Sequence, residues 1–276
     1  MAKIVCAAMI ALAAGLAAAS AQTSGTPSQQ GNPMSTLSPD VLKDLAPTGK
    51  MRAAINLGNM VLAQKDPASG QPKGITPDLA HELGRRLGVP VELVPFDAAG
   101  KVFEAVKTGA IDVMFLAIEP VRANEIAFTA PYVIIEGVYM VPRDSNLKTV
   151  ADVDREGVRI GVSRNSAYDL YLTRTLKHAT LVRGDDGVGL FIKDKLDAAG
   201  GVKQPLVKFA STNPNVRVMD GRFMEIRQAM GTPKGRGEAG ARYLRGFVED
   251  MKASGFVAGA LKRSNQDAAV APPEPN

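Results

Sequence analysis

The 276 residues include two histidines and one cysteine, which leaves few places for catalysis. Neither a Cys-rich zinc site nor a disulfide framework can be built from that set. His81 and His178 fall far apart on predicted helix faces and read as solvated, and no Ser–His–Asp or metal constellation can be assembled. Residues 235–240 fit the glycine spacing of a dinucleotide loop, but Thr232-Pro233-Lys234 precede them where a strand is required. What remains are groups that bind. The planar guanidinium of Arg122 can make two parallel bonds to a carboxylate. Ser166 opens a predicted helix, where it serves as N-cap and where free N–H groups welcome an anion. Arg164 and Asn165 share that loop. Asn56 and Asn59 end the first predicted strand, either holding a turn or facing a site. Glu119 and Glu136 are carboxylates that could take a ligand ammonium. No cofactor and no metal are expected.

Composition agrees with a globular chain: 45% hydrophobic, 22% charged and 5% aromatic residues. The formal charge of +5 is spread by interspersed Lys, Arg, Asp and Glu, so no basic block marks a nucleic-acid partner. Lys3, the apolar run 4–19 and Ala19-Ser20-Ala21 together read as a cleaved signal peptide over 1–21. That run is shorter than the roughly 20 residues a membrane span needs. A soluble, periplasmic, monomeric protein is expected, with Cys6 lost along with the signal. Residues 22–39 read as a flexible leader and 265–276 as a flexible tail, leaving a folded body near 40–264.

Strands and helices alternate within the body. A strand is predicted over 51–57, then a helix from Thr76-Pro77-Asp78, with Leu79, Leu83 and Leu87 on one stripe and Gly88 at its end. A strand at 89–94, a helix capped by Asp97 with Val102, Phe103 and Val106 inward, and strands at 111–117 and 132–141 follow. The pattern restarts with a strand at 158–162 and a helix from Ser166, with Asp169 three residues on. Further strands are expected at 179–182 and 216–219. Residues 223–229 are less defined, and a long helix over 238–254 carries Leu244, Phe247, Val248 and Met251. Alternation of this kind predicts an α/β fold with mainly parallel sheets, present twice about residue 142. Ligands in such folds sit beyond the carboxyl ends of the strands, here in a cleft between two lobes.

The order of several segments then carries a resemblance. Residues 76–88 with Asp78, Gly109-Ala110-Ile111-Asp112, Arg122, Phe128-Thr129-Ala130-Pro131-Tyr132, 150–157 and 158–168 follow one another as in the family 3 extracellular solute-binding proteins. The chain resembles these receptors of ABC importers, of the polar amino-acid type, over about 45–260. The resemblance implies a type II periplasmic binding protein fold, in which two α/β lobes are joined by two hinge strands. Lobe one would comprise 40–141 plus 225–264, lobe two 142–224, with crossings near 139–142 and 223–227. It implies a small polar or anionic solute gripped by Arg122 and Ser166, and a membrane permease as partner.

Two departures bear on the ligand. The family often reads Thr-x-Thr-x-Glu-Arg where this chain reads Ala117-Ile118-Glu119-Pro120-Val121-Arg122, placing Glu119 where a hydroxyl is expected. The Asp that commonly holds an α-ammonium after the segment 196–199 is missing, Asp197 matching a structural position. Either Glu119 or Glu136 takes the ammonium, or Glu119 neutralises Arg122 and the solute is less amino-acid-like, which is the reading favoured here. A cyclohexadienyl dehydratase-like enzyme on the same scaffold, with Glu119 or Glu136 as acid, is the alternative to a non-enzymatic receptor.

Overall fold

The computed structural model describes residues 37–274. The signal peptide and most of the leader lie outside them. Ser38 starts α1 (Pro39–Leu45), its hydroxyl accepting from the Asp40 N–H, with Pro39 in the first turn where a missing donor costs nothing. β1 (Met51–Asn56) is followed by a short ribbon of β2 (Gln64–Lys65) and β3 (Pro72–Lys73). Helix α2 (Ile75–Leu87) buries Leu79, Leu83 and Leu87 and ends on left-handed Gly88, as their spacing predicts. Its cap differs from expectation: Gly74, not Thr76, is the N-cap. At Gly74, with φ +124°, a Cβ would strike the Leu62 carbonyl oxygen at 2.7 Å.

β4 (Val91–Phe96), α3 (Ala99–Lys107), β5 (Val113–Ala117) and the single turn α4 (Pro120–Ala123) come next. Asp97 does not cap α3; its carboxylate accepts from the Lys101 ammonium at 2.8 Å instead. The 17-residue β6 (Ile126–Pro142) then leads to a 3₁₀ turn at Val150–Val153. β7 (Arg159–Ser163), α5 (Ala167–Thr175), β8 (Thr180–Gly184), α6 (Gly187–Lys193), β9 (Ala198–Val202), α7 (Lys203–Thr212) and β10 (Val216–Val218) form the second half. The chain returns through β11 (Met224–Pro233) to α8 (Glu238–Ala253), α9 (Phe256–Arg263) and β12 (Ala269–Val270).

The strands form one path in the order β4-β1-β5-β11-β6-β9-β7-β8. β1 runs parallel to β4 and β5, and β7 runs parallel to β8 and β9. Between these two wings, β11 and β6 run antiparallel, with register shifts between Gln228 and Ala229 and between Ala229 and Gly231. Such α/β wings to either side of shared strands make the two-lobed type II architecture. One core joins α1, α2, α8 and α9 to β1, β5 and β6 through Leu45, Leu79, Leu83, Leu244 and Phe247. In the other wing Val162, Leu172 and Ala198 pack with Val153 and Tyr139.

The loose tail expected at 265–276 is corrected. β12 pairs with β6 through Ala269–Ile134 and Val270–Val133, Ala271 is buried, and its N–H donates to the Tyr132 carbonyl at 3.1 Å. Lys252 Nζ donates to Pro272 O at 3.0 Å, and Arg227 pairs with Glu274 at 2.6 Å. The 235–240 glycine segment holds no nucleotide loop. It enters α8 with the buried Asp44 carboxylate of its own chain accepting from the Gly240 N–H at 2.8 Å. His81 and His178 are both exposed.

Candidate functional site

A cleft enclosing about 300 Å³ opens between the wings, beyond the ends of β1, β5 and β7. Asn56, Asn59, Asp97, Ala117, Arg122 and Gln228 line it from one side, and Ser163, Arg164, Ser166, Tyr168, Asp185 and Asp186 from the other.

Arg122 sits at the bottom and is 1% exposed. α4 turns immediately after β5, so the guanidinium folds back over the strand end it came from. Its NH1 donates to the Ala117 carbonyl at 3.1 Å, and its NH2 crosses the cleft to the Asn165 carbonyl at 2.9 Å. A guanidinium has five N–H donors, so three remain, and buried Nε has no partner among the described residues. Burial lowers the guanidinium to about 10, opposed by nearby Glu119, so it stays cationic at neutral pH.

The other expected residues divide. Ser166 caps α5, its Oγ accepting from the Asp169 N–H at 3.1 Å, at a position that also lines the cleft. Asn56 and Asn59 also combine two positions. Their side-chain oxygens accept from Gly58 N–H at 3.0 Å and Val61 N–H at 3.3 Å, holding the turn, while both residues face the cavity. Asn165 contributes backbone instead of side chain. Its φ of +57° turns the carbonyl toward Arg122, while its N–H donates to Asp169.

Glu119 and Glu136 do not reach the cavity, which corrects both assignments. Glu119, in extended conformation just before Pro120, turns its carboxylate to Arg174 on α5, NH1 to Oε2 at 2.6 Å. Glu136 lies on the half-buried face of β6 and is held by Lys203 at 2.7 Å and Arg222 at 2.9 Å. Glu119 makes its direct ion pair with Arg174 and acts on Arg122 only as a nearby charge, which corrects the expected pairing. The acid that dehydratase chemistry would need is supplied by neither glutamate.

Sequence reasoning did not assign Gln228, Tyr168 or the carboxylates Asp97, Asp185 and Asp186 to the cleft. Asp97 and the Asp185–Asp186 pair follow β4 and β8, where the strand-end rule places ligand contacts, so a signal existed. Lys101 sits against Asp97 and feels Asp185 as well, both holding its ammonium above the ordinary lysine range. Among the described residues, no group of three His, Cys, Asp or Glu is placed to hold a metal ion. No described helix is long and apolar enough to cross a membrane.

A two-lobed fold with a buried arginine at the base of its cleft defines a solute-clamping protein. Residues 62–266 match the family model described as bacterial extracellular solute-binding proteins, family 3. The chain belongs to that family of solute-binding proteins. Solved structures with the same fold include a mutant of ArgBP from T. maritima, 21% identical with a TM-score of 0.68, covering 82% of this chain and 99% of that one. A putative ABC transporter binding component from Wolinella succinogenes, complexed with lysine, is 20% identical with a TM-score of 0.66 over 78% of this chain and 95% of that one. An ancestral amino acid-binding protein, a precursor of cyclohexadienyl dehydratase, is 21% identical with a TM-score of 0.66 over 80% of this chain and 97% of that one. No curated protein matches the chain.

Proposed function

We propose that this protein captures a small carboxylate-bearing solute between its lobes and presents it to the permease of an ABC importer. It acts in the periplasm as a monomer after loss of its signal peptide. The observation that carries the reading is Arg122: a cation sealed at the base of the cleft with donors still uncommitted. A buried charge of this kind is stabilised by a counter-ion that arrives with the ligand. The lobes would divide at 40–141 plus 225–264 and 142–224, a division supported by an apolar cluster centred on each wing.

The finer reading is a basic amino acid. The argument for a less amino-acid-like solute rested on Glu119 neutralising Arg122, and Glu119 is engaged by Arg174. Asp185 and Asp186 bring carboxylates to the cleft from a different loop than the missing family Asp, giving an ammonium or guanidinium somewhere to go. The structure complexed with lysine supports the same class. Calorimetry with the twenty standard L-amino acids tests it, with L-arginine and L-lysine expected to bind best. Arg122→Ala should weaken them by about 2–5 kcal/mol while the fold survives. An absence of binding across the panel overturns the amino-acid reading. Unchanged affinity in the Arg122 variant overturns the grip.

A further inference from the structure

The polar side chains around the cleft are mostly occupied by their own loops. Asn56 and Asn59 hold a turn, Ser166 and Asp186 cap helices, Ser163 accepts from the Gly187 N–H, and Asp97 pairs with Lys101. Gln228 is different. It is 6% exposed, lines the cleft, and its carboxamide makes no hydrogen bond to any described residue. Its amide nitrogen and oxygen are not sealed away but keep contact with the cleft, so a solute's polar group can take the place of water there.

Backbone geometry aims this side chain at the ligand. β11 alternates buried and exposed residues over its first five positions, so Ile226 and Gln228 share the inward face while Glu225 and Arg227 face out. The ladder with β6 breaks its register immediately after Gln228, and bulges beside a site re-aim side chains in this way. In the ladder with β5, Gln228 lies directly opposite Ala117, whose carbonyl anchors Arg122. Gln228 thus stands on the strand next to the one whose end anchors the Arg122 guanidinium.

We infer that Gln228 is a specificity-determining residue, hydrogen-bonding the captured solute from the strand that links the lobes. This rests on the solute-binding reading of the same cleft. A carboxamide offers both donor and acceptor, so it selects solutes with a polar group next to the carboxylate held by Arg122 and rejects those with methylene there. A purely structural glutamine would instead stabilise the strand in the absence of any ligand.

Two measurements on Gln228→Leu separate these roles. Ligand-free Gln228→Leu should melt no lower than wild type, because the amide has no protein partner to lose; a clear fall in Tm overturns the inference. This arm decides even if none of the amino-acid panel binds. In calorimetry with L-arginine and L-lysine, Gln228→Leu should lose about tenfold or more in affinity, whereas a change within about threefold overturns the inference. If Arg122→Ala abolishes binding while Gln228→Leu leaves it intact, only the role of Gln228 fails. If Arg122→Ala also binds normally, the reading of the whole cleft fails.

Discussion

Glu119 and Arg174 meet between the two wings, the arginine NH1 2.6 Å from the glutamate Oε2, one side chain 3% exposed and the other 42%. The glutamate comes from the start of α4 and the arginine from α5, so the pair ties one wing to the other. Removing the arginine would leave a buried carboxylate without its donor, at a cost of about 1–3 kcal/mol to the closed arrangement. Arg174→Ala is therefore expected to open the ligand-free protein, seen as a larger radius of gyration in small-angle scattering. An unchanged radius would show that the pair does not hold the lobes together.

Gly100 gives a second handle on closure. It lies in α3, where alanine would ordinarily add up to about 1 kcal/mol of helix stability. A Cβ here would stand 2.8 Å from the Asn165 Cβ and 3.2 Å from the Arg164 carbonyl, both on the opposite wing. Gly100→Ala should leave Tm unchanged or raised while weakening L-arginine binding by about tenfold. Loss of stability together with normal affinity would refute this.

Acid stability has a named contributor. Arg85 first, and Arg86 after it, hold the Glu82 carboxyl down at about 2 from an ordinary 4.5 against some burial. A depressed carboxyl pKa stabilises the fold above the unfolded value and loses that contribution as pH falls from 4.5 toward 2. Helix-surface pairs are weak, so Glu82→Gln should cost only about 1 kcal/mol at neutral pH. Denaturant titrations should show the difference vanishing near pH 2; a gap of constant size would contradict the linkage.

The C-terminal segment is expected to carry stability as well. Deleting residues 266–276 removes the β12 ladder, the Tyr132 bond to Ala271, and an acceptor for Lys252, whose side chain is 2% exposed. The expected loss is about 1–3 kcal/mol, or several degrees in Tm. A truncated chain melting within about one degree of the full one would mean the segment is merely draped.

What the sequence made legible follows from periodicity and capping. The Leu79–Leu83–Leu87 stripe and the Ser166 cap are local signals, and the folded chain uses both. β9 was illegible because Ala198-Ala199-Gly200-Gly201-Val202 carries little of the β-branched bulk that marks a strand. Those residues are extended because β6 and β7 pair with them on either side. The docked tail was hidden for a related reason: a proline-rich end gives no sign of the sheet edge awaiting it. In the site, motif order located Arg122, but Glu119 was misplaced because its partner lies 55 residues away. Gln228 escaped notice because it is a polar residue at an inward position, where the Met224–Ile226 alternation calls for an apolar one.

The position of β11 also fixes when folding can finish. β5 and β6 are close in sequence, yet β11 lies between them and pairs with both. Until residues 224–233 arrive, the facing edges of β5 and β6 stay unpaired, and α8, whose Leu244 and Phe247 complete the core over α1, is still to follow. Contacts spanning so much chain are slow to form. A polypeptide delivered from its N-terminus therefore keeps its first wing open until nearly the last helix has emerged. The order of strands across the sheet acts as a timer set by the far end of the chain.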